Sequence, residues 1–512
     1  ALDKLSEKDW IKHISQNDSP LIKVASLGLF ISGSWSDIYN YNNIVINTIK
    51  QLGTPVFLSA IKQVISWLGN EFIIGQTIKS ALKQTRKFKN YKFSFDLLGE
   101  SARTFEQAEK YYDDYLEAVD LIAAAQIKDS NLSVKLTALY PRLELAKIKD
   151  IESYLIPKLV KLIKKMMAHN IAITFDAEES FRLEIYMHIV TQIILHPEFK
   201  NFSKISFVVQ AYQKRAGKVI DHIIELAKKT GKIIPVRLVK GAYWDAEIKH
   251  AQTLGLANYP VFTKKELTDA NYLIQARKIF ENGDYIFPGF ATHNAITAAS
   301  IIEMSKGRAF EFQKLHGMGG PLHKELHKNH DVRIYAPIGK MEDLLAYLMR
   351  RLLENGANNS FVNQVSDMNA RMIYDLHREL TNNKTDTKIV LPTDIYSDRK
   401  NSMGYELGYQ FMQDKLKNKI DFFKDKVYKV GSIINGREMT TKHVTDHFRP
   451  GRMAEKIGDV SISTESSMNA SIESAQLAFE DWGARPVEER AKILRHIADL
   501  LEENEAELFS LL

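Results

Sequence analysis

The chain has 512 residues, 45% hydrophobic and 26% charged, a length and balance that call for two or three soluble folded units rather than one domain or a disordered chain. Its net charge of +6 is the small difference between 69 basic and 63 acidic residues, so nucleic acid is not implied, and with no cysteine this stretch has no disulfide, thiolate metal site or thiol nucleophile. No apolar run is long enough to span a bilayer and no signal-peptide centre opens the chain, so a cytoplasmic protein is expected. The start "ALDKLSEKDWIKH" and the end "LEENEAELFSLL", in mid-helix, read as cut ends of a longer polypeptide.

Residues 1–90 carry apolar residues at helical spacing, with Ser or Thr before Pro as starts, as in "SPLIKVASLGLFISG". Eight short strand-like runs follow: "YKFSFDLLGE" at 91, "SVKLTALYP" at 133, "IAITFDAEE" at 171, "ISFVVQAYQ" at 205, "IIPVRLVKGAYW" at 233, "YIFPGFATHN" at 285, "AFEFQKLHG" at 309 and "VRIYAPIG" at 332. Between them lie helical patterns such as "AGKVIDHIIELAKKTGK", closed by Gly231. Eight such units over residues 91–385 predict an α/β fold, a distorted (β/α)8 barrel of the TIM type; an open doubly wound sheet is the rival. Residues 386–424 are polar and turn-rich, as a linker would be. Residues 425–512 form a separate unit, with a hairpin at Asn435-Gly436 and two capped amphipathic helices, the second starting at Pro486.

In a barrel the C-terminal strand ends face the mouth, where reactions occur. Here these ends carry Glu100, Lys135, Tyr140, Asp176, Glu178, Gln210, Tyr212, Arg237, Thr292, His293, Asn294, Gln313, His316 and Tyr335. Each has a bland alternative: Asp176 could cap a helix, and His293 could be a packing residue. His250, His323 and His327 lack metal spacing, so no metal is expected. Gly241 and Ala242 follow a strand and open a helix, a turn that lets backbone N–H groups approach an anion, although "KGAYW" is no recognised phosphate loop. Arg237 suits something electron-rich over the mouth, such as a flavin. In "AYLMRRLLENGA" Arg350, Arg351 and Glu354 oppose a leucine face. Alone that is a solvated surface, and an Arg350–Glu354 pair would contribute only ~0.2–0.5 kcal/mol. With Lys135, the two arginines give three cations suited to a small carboxylate.

The strings "VRLVKGAYWDAEIKHAQ", "FATHN", "FEFQKLHGMG", "RIYAPIG" and "YLMRRLLENGANNSFV", with "VKLTALYPR", "FDAEE" and "VVQAYQKR" in the same order, closely resemble the proline dehydrogenase domain of the bifunctional flavoenzyme family proline utilization A. The resemblance covers residues 5–380, and the tail after 425 looks like the beginning of an aldehyde dehydrogenase domain. It implies non-covalent FAD and oxidation of L-proline to 1-pyrroline-5-carboxylate, with hydride passing to flavin N5 and electrons to a membrane quinone. Carried over residue by residue, Asp176, Arg237 and Tyr335 would be catalytic. Lys135, Arg350 and Arg351 would hold the substrate carboxylate, and Tyr243, Leu315 and Tyr335 would enclose the ring. Ala177, Gln210, Arg237, Lys240, Gly241, Ala242, Trp244, Thr292, His293, Asn294, Gln313, Ser360 and Phe361 would bind FAD, with Glu354 touching FAD or orienting the arginines.

The same resemblance implies peripheral association with the inner face of the cell membrane and is compatible with a homo-oligomer. No ribbon-helix-helix segment is visible at the start, so no nucleic-acid partner is indicated. NAD belongs to the family's second activity, glutamate semialdehyde oxidation, which uses a cysteine absent here. A catalytically silent barrel positioning an aldehyde dehydrogenase partner is the alternative.

Overall fold

The computed structural model describes residues 72–340, Tyr347, Arg350 and residues 389–512. Most of the N-terminal helical segment, together with Arg351, Glu354, Ser360 and Phe361, lies outside the described residues. The chain divides into two compact units, Ala1–Gly404 and Tyr405–Leu512.

The first unit is a closed barrel of eight parallel strands in sequence order: β1 Lys92–Leu97, β2 Asn131–Val134, β3 Ala172–Phe175, β4 Ile205–Gln210, β5 Ile234–Val239, β6 Ile286–Ala291, β7 Glu311–Leu315 and β8 Asp331–Ile338. β8 closes on β1 in a register that pairs Lys92 with Arg333 and Ser94 with Tyr335. Each strand-like run yields a strand, and helices fill the intervals, as in Phe105–Ala124, Ile148–Ala168 and Ala216–Thr230. The rival open sheet is thereby excluded. One boundary differs from expectation: "SVKLTALYP" ends as a strand at Val134, and Leu136–Leu139 form one buried helical turn. A short apolar run cannot distinguish the two conformations. Here the Lys135 amide donates to the Tyr115 hydroxyl at 3.3 Å, outside the strand ladder.

The helices form where the periodicity places them. Ala216–Thr230 buries Val219, Ile220, Ile223, Ile224 and Ala227, and each isoleucine removed from water stabilises the fold by ~2 kcal/mol. It ends at Gly231, whose φ of 67° is the left-handed cap that a side chain would strain.

Alternation along the strands sorts the barrel wall. Phe95, Leu132, Phe175, Phe207, Leu238, Phe290, Phe312 and Ile334 join the apolar core shared with the helices. Their neighbours at alternate positions point inward and are largely polar: Ser94 and Asp96, Asn131 and Ser133, Thr174, Arg237, then Glu311 and Gln313. Such groups are tolerated because they bond one another, as in Ser94 to Asn131 at 2.7 Å and Asn131 to Thr174 at 2.9 Å.

The second unit contains helix Gln410–Asp421, the hairpin β10 Ser432–Ile434 and β11 Arg437–Met439, and a three-stranded sheet of β12 Val444–Arg449, β13 Arg452–Ser461 and β9 Tyr428–Val430. Asn435 and Gly436 turn the hairpin with φ of 51° and 74°, the positive values that a two-residue turn of this kind requires. Helix Gln410–Asp421 falls inside the stretch read as linker, although "QDKLKNK" supplies strong helix formers and Met412, Leu416 and Ile420 recur at helical spacing. Helix Glu465–Ala484 starts at a Thr464–Ser467 capping box, and helix Val487–Glu503 follows Pro486. Both leave large apolar side chains exposed, among them Leu477, Phe479 and Leu494.

Candidate active site

At the barrel mouth eight side chains, carried on or just beyond six strands, meet in one buried cluster. Arg237, on β5, donates through Nη1 to Asp176 Oδ1 at 2.7 Å, through Nε to Gln313 Oε1 at 2.6 Å and through Nη2 to Ser94 and Ser133 at 2.9 and 3.2 Å. Asp176, just beyond β3, accepts on Oδ2 from the Tyr335 hydroxyl at 2.8 Å. Lys135, just beyond β2, places Nζ 2.5 Å from Asp96 and 3.4 Å from Asp176. The Arg237 guanidinium lies 5.1 Å from the centre of the Tyr335 ring. Two carboxylates thus face two cations, and burial that would be costly for any one charge is offset by its neighbours.

The electrostatics follow from that balance. Burial disfavours the Lys135 ammonium, but Asp96 and Asp176 outweigh it and hold its pKa well above the ordinary value. Burial, reinforced by the same two carboxylates, keeps the Tyr335 phenol protonated, as a donor. Glu178, which accepts from the Thr137 amide and contacts the Thr137 hydroxyl, is lifted by burial to about 7, against those bonds.

Above the cluster, Arg350 forms a fork onto Glu100 at 2.9 and 3.2 Å, with its guanidinium 5.1 Å from the centre of the Tyr243 ring. Leu315 packs with Met318 and Tyr347 nearby. Sequence spacing offered Glu354 as the partner of the arginines; Glu354 lies outside the described residues, and the carboxylate seen on Arg350 is Glu100.

The remaining predicted residues ring the mouth. Gln210 donates to the carbonyls of Ala177 and Glu178 and accepts from Gln213, so its amide is fixed. Thr292 accepts from the Asn294 amide through Oγ1, Asn294 caps the next helix through Thr297, and His323 Nε2 is 2.9 Å from the Thr292 carbonyl. His293 Nε2 accepts from the Leu315 amide at 3.4 Å. Trp244 donates to the Phe262 carbonyl, and Lys240 pairs with Asp269. Gly241 has φ of 129°, and a Cβ there would lie 2.5 Å from the Tyr212 ring, so its lack of a side chain is required by packing as well as backbone shape. Ala242 is exposed beside it. The helix after this turn has Asp245 and Glu247 in its first turn, which weakens that N-terminus as an anion site.

Sequence reasoning missed Asp96, Ser94, Ser133 and Glu311. Their available signal was polar residues at every second position of strand-like runs. Among the described residues, no group of three or more His, Asp or Glu could hold a metal ion, and no helix is long and apolar enough to cross a membrane.

The family model described as proline dehydrogenase matches residues 78–364, the aldehyde dehydrogenase family model matches 438–512, and a model described as the DNA-binding domain of proline dehydrogenase matches 1–72. The last falls where the sequence reading finds helices and no nucleic-acid signal. The bifunctional protein PutA of Salmonella typhimurium is 34% identical over all of this chain and 41% of its own length. That of Rhizobium meliloti is 38% identical over 79% of this chain and 35% of its own. The chain therefore spans about two fifths of the relatives it matches. A crystal structure of a Bradyrhizobium japonicum proline utilization A mutant aligns with TM-score 0.70 and 36% identity, over 91% of this chain and 46% of that one. One from Bdellovibrio bacteriovorus, at 24% identity, shares the fold with TM-score 0.75 over 98% and 56%.

Proposed function

The chain belongs to the proline dehydrogenase family, and from that premise we propose that it oxidises L-proline to 1-pyrroline-5-carboxylate with non-covalently bound FAD. The observation that carries the reading is the buried junction of Asp176, Arg237, Lys135 and Tyr335 at the barrel mouth, beneath Arg350.

The donor set fits the cofactor. A guanidinium fixed by Asp176 and Gln313 offers permanent positive charge to an electron-rich ring, and Gln210, Thr292 and His293, at the ends of β4 and β6, would add polar contacts to it. Bound FAD would supply the hydride acceptor and pass electrons on to a quinone.

The chain's own residues do the rest. An arginine can serve two carboxylates at once, one end-on through both Nη atoms and one side-on through Nε. Arg350 can therefore stay on Glu100 while taking the proline carboxylate, with Arg351 as the second guanidinium. Lys135 has one N–H beyond its two aspartate contacts and completes that set. Tyr243, Leu315 and Tyr335 shape an apolar slot for the ring and exclude water. Asp176 holds Tyr335 and Arg237 in one orientation, so the reacting carbon meets a rigid floor.

A preparation of the chain that is yellow and bleaches when L-proline is added without oxygen is the expected result. Flavin bound without proline-dependent bleaching would favour the silent scaffold instead.

A further inference from the structure

Polar groups continue below the mouth, through the barrel to its floor, where Glu311 and Arg333 have no part in the proposed oxidation. Glu311 and Gln313 lie two apart on β7, so both project into the barrel, and both are almost fully buried. Glu311 Oε1 accepts from Gln313 Nε2 at 2.8 Å and from Arg333 Nε at 2.6 Å, while Oε2 accepts from Arg333 Nη2 at 2.9 Å. Gln313 Oε1 accepts in turn from Arg237 Nε.

This chain has a direction. A carboxylate held by a guanidinium offers only acceptors, and a guanidinium offers only donors. The amide between them therefore has one allowed orientation. Turned over, it would set two donors together at Arg237 and two acceptors together at Glu311. The neighbouring strand makes room for it: Gly289 pairs in register with Arg237 on one side and Glu311 on the other. A Cβ at Gly289 would come within 2.5 Å of Gln313 Nε2.

We propose that Glu311 is a positioning residue for the oxidation: it turns the Gln313 carbonyl toward Arg237, and so aims the guanidinium from the floor of the barrel. The proposal rests on the proline-oxidation reading. It differs from a purely structural role, in which Glu311 and Arg333 only stabilise the barrel, in what it moves.

The test uses the full 512-residue chain loaded with FAD and reads anaerobic flavin bleaching by proline, the flavin midpoint potential and thermal unfolding. Glu311→Gln should slow bleaching about tenfold and lower the potential, with the proline KM within about twofold of the parent. Gln313→Glu added to Glu311→Gln should restore the rate to within about threefold, because a carboxylate presents an acceptor to Arg237 whichever way it turns. Gly289→Ala, which pushes the same amide without changing charge, should reproduce the slow bleaching. Parent-like rate and potential in Glu311→Gln, with only a lower melting temperature, overturn the proposal, as does a double variant slower than the single one. Should Glu311→Gln fail to fold, parent-like rate and potential in Gly289→Ala overturn it. A parent chain whose flavin proline cannot bleach overturns the functional reading and this proposal together, whereas an active parent with indifferent variants overturns this one alone.

Discussion

Replacing Glu100 by glutamine tests whether the carboxylate on Arg350 competes with the substrate or aims the arginine at it. The pair is a two-point fork, with the side chains 19% and 26% exposed. A hydrogen bond to a charged group contributes ~1.5–3 kcal/mol when sheltered, and an exposed ion pair ~0.2–1 kcal/mol. Partial burial puts this one near ~1.5 kcal/mol, of which the Tyr243 ring retains ~0.5 kcal/mol by its own hold on the guanidinium. The lost aim is then ~1 kcal/mol, a rise in proline KM of about fivefold with kcat little changed. Steady-state kinetics with an artificial electron acceptor measures this, and a spectral titration with a carboxylate analogue that cannot be oxidised should weaken by the same factor. A KM that falls would mean that Glu100 occupies the substrate's place, and one that stays put would mean that Arg350 does not bind substrate; either result refutes the positioning argument.

Three further outcomes follow from the site. Asp176→Asn leaves the Arg237 guanidinium buried without a carboxylate, so unfolding free energy should fall by ~3 kcal/mol in denaturant titrations and proline turnover should be nearly abolished; parent-like stability would contradict the charge balance. Glu178 has its pKa lifted by burial from 4.5 to about 7, so the folded chain holds that proton longer than the unfolded one does. Its contribution to stability is full below about pH 4.5 and is lost as pH rises through about 7, so Glu178→Gln should flatten the stability–pH curve across that window, and an unaltered slope would count against the assignment. Gly241→Ala forces a side chain onto the Tyr212 ring at a φ of 129°, a strain of ~1–3 kcal/mol, and should lower the flavin-to-protein ratio of the purified chain; an undiminished ratio would show that the turn takes no part in holding the cofactor.

Much of this was legible in the sequence, for reasons specific to the fold. A parallel barrel fixes which end of every strand bears chemistry, so Lys135, Asp176, Gln210, Arg237 and Tyr335 could be placed at one mouth without knowing a single contact. The (β/α)8 barrel emerged because "SVKL" and "ISFVVQ" are short strand-like runs between long helical patterns. What escaped were pairings across the chain. Arg350 meets Glu100 250 residues away, whereas local spacing suggested only Glu354. Asp96 and Glu311 were passed over because a charge within an apolar strand reads as a solvent-facing position, and the inside of this barrel is polar. The turn at Leu136–Leu139 reads as strand because four residues, Leu-Thr-Ala-Leu, are too few to show a period.

The closure of the ring has a consequence for how the protein is made. Lys92 and Asp331, joined across the β1–β8 seam, are 239 residues apart, and the ring cannot close until that last strand arrives. The cluster inherits the delay: Ser94 waits on Arg237 across 143 residues, and Asp176 waits on Tyr335 across 159. Contacts of such long reach are formed late and slowly. A nascent or truncated chain lacking β8 therefore has an open sheet in place of the ring and a cluster without Tyr335. During refolding, proline-dependent bleaching should return with the slowest phase, after the helices have regained their circular dichroism.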